Sequence, residues 1–246
     1  MLACHPPAQP EAGRGGNFHT ATLWQTAMSS QNLRRPFIIG IGGGTGAGKS
    51  TLARRLASVY ADLGTVILDQ DSYYRDQSHL TFEQRTLTNY DQPSALDDDL
   101  LRMHIRQLAA GEPIRKPRYC FVTHTRLPET DNVQPASIVI LEGLMALCDE
   151  HLRALMGLKI FVDADADVRL MRRLVRDVHE RGRTLDSTVV QYRDSIRPMH
   201  RQHVEPTRAF ADLVVDTTEI SLEEWLKPID RILARMRGSL GAEASA

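Results

Sequence analysis

The chain has 246 residues, 42% hydrophobic and 25% charged, which fits one large α/β domain, or one core carrying an inserted lid. A formal net charge of −1 argues against a polyanion as general partner, so charge does not suggest nucleic acid and none is expected. The three cysteines, Cys4, Cys120 and Cys148, lack metal-type spacing, and their odd number fits a reducing compartment.

Residues 1–35 are rich in Pro, Gly, Ala, Gln and Ser without a sustained period, and are expected to be a disordered extension. His5 and the prolines of Leu2–Pro10 interrupt any basic-then-apolar signal pattern, and no apolar run approaches a membrane span. A cytoplasmic protein is expected, with no membrane partner.

Phe37, Ile38, Ile39 and Ile41 form a short apolar run that reads as a buried strand. A glycine-dense turn follows, and then a helical pattern with Leu52, Leu56 and Val59 on one face. Gly43, Gly44, Thr45, Gly46, Ala47, Gly48, Lys49, Ser50 and Thr51 make up the turn and helix start, and satisfy G-x-x-x-x-G-K-[ST]. Side chains at the glycines would keep backbone N–H groups from closing around phosphate oxygens. The helix N-terminus adds unpaired donors and partial positive charge. Lys49 is then placed for the β/γ-phosphates and Ser50 for Mg²⁺. Only four of the 30 basic residues are lysines, so Lys49 stands out in an arginine-rich chain. The pattern implies a nucleoside-triphosphate site.

Thr65–Leu68 reads as a second strand, leading into Asp69-Gln70-Asp71-Ser72-Tyr73-Tyr74. Ligands of an open parallel sheet sit beyond the carboxyl ends of its strands, where both this segment and the phosphate loop fall. Asp71 is placed either to meet a substrate hydroxyl or to serve as a turn or helix-cap aspartate, and position does not choose between them. Asp97, Asp98 and Asp99 open a helix with Leu101, Ile105 and Leu108 inward and Gly111 at its end; such carboxylates serve the helix dipole rather than a metal.

Residues 112–127, with Pro113 and Pro117 and a β-prone composition, are expected to form an edge strand or hairpin outside the main sheet. Tyr119, Phe121 and His124 there could face a planar heterocycle, or the two aromatics could fill a small core. Ser137–Leu141 is a fully apolar strand followed by Glu142, which can reach a Mg²⁺ shell opposite Ser50. Lys159–Val162 is a fourth strand. A helix after Asp165 is expected to turn Val168, Met171, Leu174, Val175 and Val178 inward, with Arg169, Arg172, Arg173 and Arg176 on its other faces. Ten arginines fall between 169 and 208, and Arg181-Gly182-Arg183 joins two helices in the manner of a lid that closes charge onto phosphates. The second helix should cover Asp186–Arg197 and stop at Pro198; Ala211–Val215 is a last strand and Leu222–Met236 a final amphipathic helix.

The strand–loop–helix opening, together with DQDSYY (69–74), YDQPSALD (90–97), THTR (123–126), LEGL (141–144), FVDADADVRLMRRLVRD (161–177), ERGR (180–183), RPMH (197–200) and ADLVV (211–215), resembles the uridine–cytidine kinases. These are a branch of the nucleoside-kinase and phosphoribulokinase group of P-loop proteins, and the likeness spans about residues 36–217. It implies an α/β fold with a P-loop NTPase-type parallel sheet flanked by helices, a nucleoside-binding hairpin at 112–127 and an Arg-rich helical lid at 165–208. The kinase domain would run over 36–238, with a tail at 239–246. It implies ATP and Mg²⁺, phosphoryl transfer to the 5′-hydroxyl of uridine and cytidine, and a homotetramer.

By the same resemblance Asp71 is the general base near the metal, Asp91 holds ribose hydroxyls, and Tyr119, Phe121 and His124 form the base pocket. Glu142 joins the metal shell with Ser50. Arg173 and Arg176 are lid arginines, and Arg183 and Gln191 reach the nucleoside. The chain departs from the family pattern at Cys120, where Asp is usual, at Gln92, where His is usual, and at Asp216–Glu219, where a Pro and a glycine-rich turn are common.

Overall fold

A computed structural model describes residues 36–219 together with Lys227 and Ile229. The extension expected at 1–35 and the tail at 239–246 lie outside the described residues. So does the expected helix Leu222–Met236, apart from Lys227 and Ile229, which are helical; Ile229 is fully buried.

Five strands form one parallel sheet in the order β2-β5-β1-β6-β7. They are β1 (Phe37–Gly43), β2 (Thr65–Asp69), β5 (Ile138–Glu142), β6 (Leu158–Asp163) and β7 (Leu213–Asp216). β3 (Ile114–Cys120) and β4 (Thr125–Val133) pair antiparallel as a separate two-stranded ribbon, which continues past residue 127 to Val133. The central strands are apolar throughout because both faces are covered, as parallel sheets require. On one face, Ile39, Ile41, Ile140 and Ile160 pack with α1 (Lys49–Val59) and Ile229. On the other, Ile38, Val139, Leu141 and Phe161 pack with Leu101, Ile105 and Leu108 of α3 (Asp98–Ala109). The Asp97 side chain caps α3 by accepting from Leu100 N, as its place before the helix suggested. On α1 the inward positions are Leu52, Ala53 and Leu56, whereas Val59, expected on that face, is exposed at the helix end.

The remaining helices are short, namely α2 (Phe82–Thr86) and α4 (Glu150–Arg153), or belong to the region after β6. There α5 (Ala166–His179) and α6 (Leu185–Gln191) are joined by 180–184. The expected stop at Pro198 does not occur. The helical path runs on from α6 through a wide π turn at Tyr192–Ile196, α7 (Arg197–Met199), a second π turn at His200–Val204 and a 3-10 segment at Glu205–Phe210. Proline normally breaks a helix by lacking an N–H and crowding the preceding turn; the wider i→i+5 windings on either side relieve both constraints.

The expected orientation of α5 is met only in part: Val168, Leu174 and Val178 are partly buried, but the most buried stripe is charged. Arg169, Arg173 and Asp177 are its buried residues, while Met171 and Val175 are more than half exposed. The helix turns its charged stripe towards the carboxyl ends of the strands, where the polar partners lie.

Candidate active site

The phosphate loop leaves β1 at Gly43 with φ 136°, and a Cβ there would sit 2.1 Å from Val162 O. Gly46 has φ 75°, and a Cβ would meet Arg169 O at 2.3 Å. Only glycine serves at either position. α5 therefore packs directly on the loop: the Arg169 guanidinium occupies the space a side chain at Gly44 would need, and its Nε donates to Ala164 O at 3.0 Å. Lys49 Nζ donates to Gly44 O at 2.9 Å, curling across the loop. Burial lowers its pKa, and Arg176 and Arg169 push the same way, while Glu142 and Asp71 oppose. On the outer side, the Thr217 hydroxyl donates to Ala47 O at 2.9 Å, so the departure at 216–219 abuts the loop itself.

Register brings the acidic residues together. Glu142 pairs with Ile41 in β1 and with Asp69 in β2, so β5 delivers it between the phosphate loop and the Asp69–Tyr74 segment. The exposed Ser50 hydroxyl donates to Glu142 Oε1 at 2.8 Å. Burial raises the Glu142 pKa against the pull of Lys49 and of Ser50. Asp71 stands in the 3-10 turn Gln70–Tyr73, and burial raises its pKa; Arg181 and then Lys49 hold it down. No cluster of three or more acidic, His or Cys side chains suited to a metal occurs among the described residues. The Ser50–Glu142 oxygen pair nevertheless fits Mg²⁺, which takes one or two protein oxygens and completes its shell with phosphates and water.

Beside these groups lie Asp91 and a run of rings. Asp91, 9% exposed, has its Oδ2 3.2 Å from the Ser195 hydroxyl, which also donates to Asn89 Oδ1 at 2.9 Å. Burial raises the Asp91 pKa; Arg173 and the Ser195 bond lower it, and Asp71 acts from nearby. His124 closes the β3–β4 turn in the left-handed conformation (φ 51°) and stacks on Tyr90 at 5.3 Å and 19°. Tyr119 packs against Tyr74 at 5.1 Å and Phe121 at 5.3 Å. The two uses considered for the aromatics thus divide: Tyr119 joins the cluster of Tyr74 and Tyr90, whereas Phe121 stays 42% exposed. Burial, and then Arg183 and Arg85, lower the His124 pKa, favouring a neutral ring. The ribbon is fixed to this place by Arg126, which donates to Tyr74 O at 2.8 Å and pairs with Asp97 at 3.2 Å. Lys116 adds an ion pair to Asp69 at 2.7 Å.

The arginines of α5 and the bend after it connect these two groups. Arg173, 6% exposed, donates to Thr45 Oγ1 at 2.9 Å and to Gln191 Oε1 at 3.1 Å. Arg183 donates to the same Gln191 oxygen. Arg176 lies 2.9 Å from Asp177, and the Arg181 guanidinium sits 4.9 Å over the Phe121 ring.

The residues expected from sequence thus converge: Lys49, Ser50, Asp71 and Glu142 on one side, Asp91, Tyr119, Phe121 and His124 on the other, Arg173, Arg176, Arg183 and Gln191 above. Sequence reasoning missed Tyr74, Tyr90, Arg181, Asp177 and Ser195. The tyrosines and Asp177 lay within motifs already marked and Arg181 within the arginine run, but nothing in the pattern set Ser195 apart.

A phosphate-loop sequence at the carboxyl edge of a parallel sheet, with buried carboxylates and arginines gathered beside it, defines a P-loop phosphotransferase. The chain belongs to the Phosphoribulokinase / Uridine kinase family, whose sequence model matches residues 38–222. It is 50% identical over 182 residues to a uridine kinase of Geobacillus sp. (strain WCH70), covering 74% of this chain and 86% of that one. A uridine kinase of Clostridium novyi (strain NT) is 47% identical over 205 residues, covering 82% and 99%. Among solved structures, a putative fructose transport system kinase from Silicibacter sp. TM1040 superposes with a TM-score of 0.61 at 20% identity, over 78% of this chain and 94% of that one. Phosphoribulokinase from Rhodobacter spheroides does so at 0.55 and 12% identity, over 75% and 71%. These likenesses in structure bear on the fold alone.

Proposed function

We propose that the protein transfers the γ-phosphoryl group of ATP to the 5′-hydroxyl of uridine and cytidine, giving UMP or CMP and ADP. The observation that carries this reading is the pairing of a phosphate loop holding Lys49 with an acceptor pocket that joins a buried carboxylate, Asp91, to stacked rings ending in His124. The close relatives named as uridine kinases support it.

In this mechanism the loop amides and Lys49 hold the triphosphate. Ser50 and Glu142 hold Mg²⁺, which when bound supplies charge neutralisation on the phosphate oxygens. Asp91 takes the ribose hydroxyls and Tyr119, Phe121 and His124 enclose the base, the neutral imidazole serving as donor or acceptor to either pyrimidine edge. Asp71 accepts the 5′-hydroxyl proton as that oxygen attacks the γ-phosphorus and the bond to the ADP oxygen breaks. Arg173 and Arg176 meet the charge that develops, while Arg183 and Gln191 close over the nucleoside. A sugar-phosphate acceptor would call for cations where this pocket has rings.

By resemblance the protein also works in the cytoplasm as a homotetramer; no helix among the described residues is long and apolar enough to cross a membrane. Purified protein supplied with labelled ATP, Mg²⁺ and a panel of nucleosides and sugar phosphates should label uridine and cytidine. Transfer only to a sugar phosphate, or to no acceptor, would overturn the reading.

A further inference from the structure

Asp177 has no exposed surface and sits in the last turns of α5, where the helix dipole disfavours a carboxylate. Its neighbours account for it. Arg173 Nη2 lies 3.1 Å from Oδ2, Arg176 Nη2 2.9 Å from Oδ1 and Arg181 Nη1 3.6 Å from Oδ1. The Asp177 backbone carbonyl also accepts from Arg183 N at 3.0 Å, fixing the bend between α5 and α6. Two of these arginines lead elsewhere: Arg173 to Thr45 of the phosphate loop, Arg181 to Phe121 of the hairpin.

An anion in a phosphate-binding cleft works against the ligand by simple charge, so its presence calls for a compensating use. Three guanidiniums this close repel one another unless an anion lies among them, and burial already disfavours the charged forms of Arg173 and Arg181. We propose that Asp177 is a positioning residue for phosphoryl transfer: its buried carboxylate gathers Arg173, Arg176 and Arg181 into one cradle before the triphosphate arrives. The phosphoryl group in transfer then meets arginines already aimed, so the gain falls on the transition state rather than on nucleotide binding.

This inference rests on the phosphotransferase reading, and its test has one arm that needs no turnover. Hydrogen exchange on the nucleotide-free full chain should show residues 180–190 exchanging faster in Asp177→Asn than in wild type, with β1 and β5 unchanged, and protection regained on adding a non-hydrolysable Mg·ATP analogue. In turnover, Asp177→Asn should lower kcat by about 10²-fold, the cost of a misplaced catalytic contact, while KM for ATP changes by less than about threefold. Asp177→Glu, which keeps the charge, should recover at least about a tenth of the wild-type kcat.

Unchanged exchange at 180–190 would overturn the proposal, as would a kcat within about twofold of wild type. Faster exchange spread through the sheet, with Asp177→Glu as impaired as Asp177→Asn, would reduce Asp177 to a purely structural role and overturn it too. Wild-type protein that labels no acceptor would instead remove the phosphotransferase reading, and the exchange arm would still decide whether Asp177 orders the lid.

Discussion

Ser195 offers a measurement of how Asp91 is held. Its hydroxyl has one proton and two acceptors, Asn89 Oδ1 at 2.9 Å and Asp91 Oδ2 at 3.2 Å. A hydrogen bond to a carboxylate contributes about 1.5–3 kcal/mol, but here the proton is shared and the shorter contact goes to Asn89. Ser195→Ala should therefore cost about 1 kcal/mol of ribose binding, or about fivefold in KM for uridine. The Asp91 carboxylate would also lose one of the two interactions that most oppose the effect of its burial. Steady-state kinetics at saturating ATP and varied uridine read the effect. KM for ATP and kcat should stay within about twofold, because the interaction belongs to ground-state and transition-state binding alike. An unchanged KM for uridine, or a shift in KM for ATP instead, would refute the assignment of Asp91 to the ribose and of Ser195 to Asp91.

Asp71→Asn should lower kcat by about 10²–10⁴-fold, the range for a lost general base, with nucleotide binding retained by fluorescence titration. Because burial raises the Asp71 pKa, activity carried by the carboxylate is lost as pH falls through a value above the ordinary 3.8; Arg181→Gln, which removes the leading charge holding that pKa down, should move the acid limb of kcat/KM to higher pH. Glu142→Gln should raise the Mg²⁺ needed for half-maximal rate by about 10–100-fold, while calorimetry finds the nucleotide-free protein no less stable, since a buried carboxylate has been neutralised. Arg126→Ala should destabilise the protein by about 2 kcal/mol in urea unfolding, because the Tyr74 carbonyl and Asp97 lose a charged donor.

What the sequence made legible is what short-range rules govern. The apolar runs became β1, β2, β5 and β6 to within two residues at each end, and the phosphate loop lies where strand and helix must meet. Register then carried Glu142 to Ser50, a pairing across 92 positions that the strand assignment already contained. The hairpin was visible through its prolines and β-prone residues, yet its ring contacts with Tyr90 were not, because no local rule ties residue 90 to residue 124.

The lid shows where periodicity misleads. A 3.6-residue pattern states that α5 has two faces, not which one is inward. Apolar burial is the usual choice, but the neighbouring surface decides, and here that surface is a phosphate loop with glycines at 44 and 46. Arginine stems can lie along such a surface while their heads reach polar partners. Arg169 and Arg173 do so, and their charges are tolerable because Ala164 O, Thr45 and Gln191 take donors and Asp177 pairs with Arg173 as an ion. The same logic explains Pro198 and Ser195: the π turn at Tyr192–Ile196 adds a residue to one winding, which lets the helical path continue to the proline and brings Ser195 to Asp91. Each residue of a π winding turns less about the axis than the ~100° of an α-helix, so the irregularity that defeats sequence reading is what brings Ser195 to Asp91.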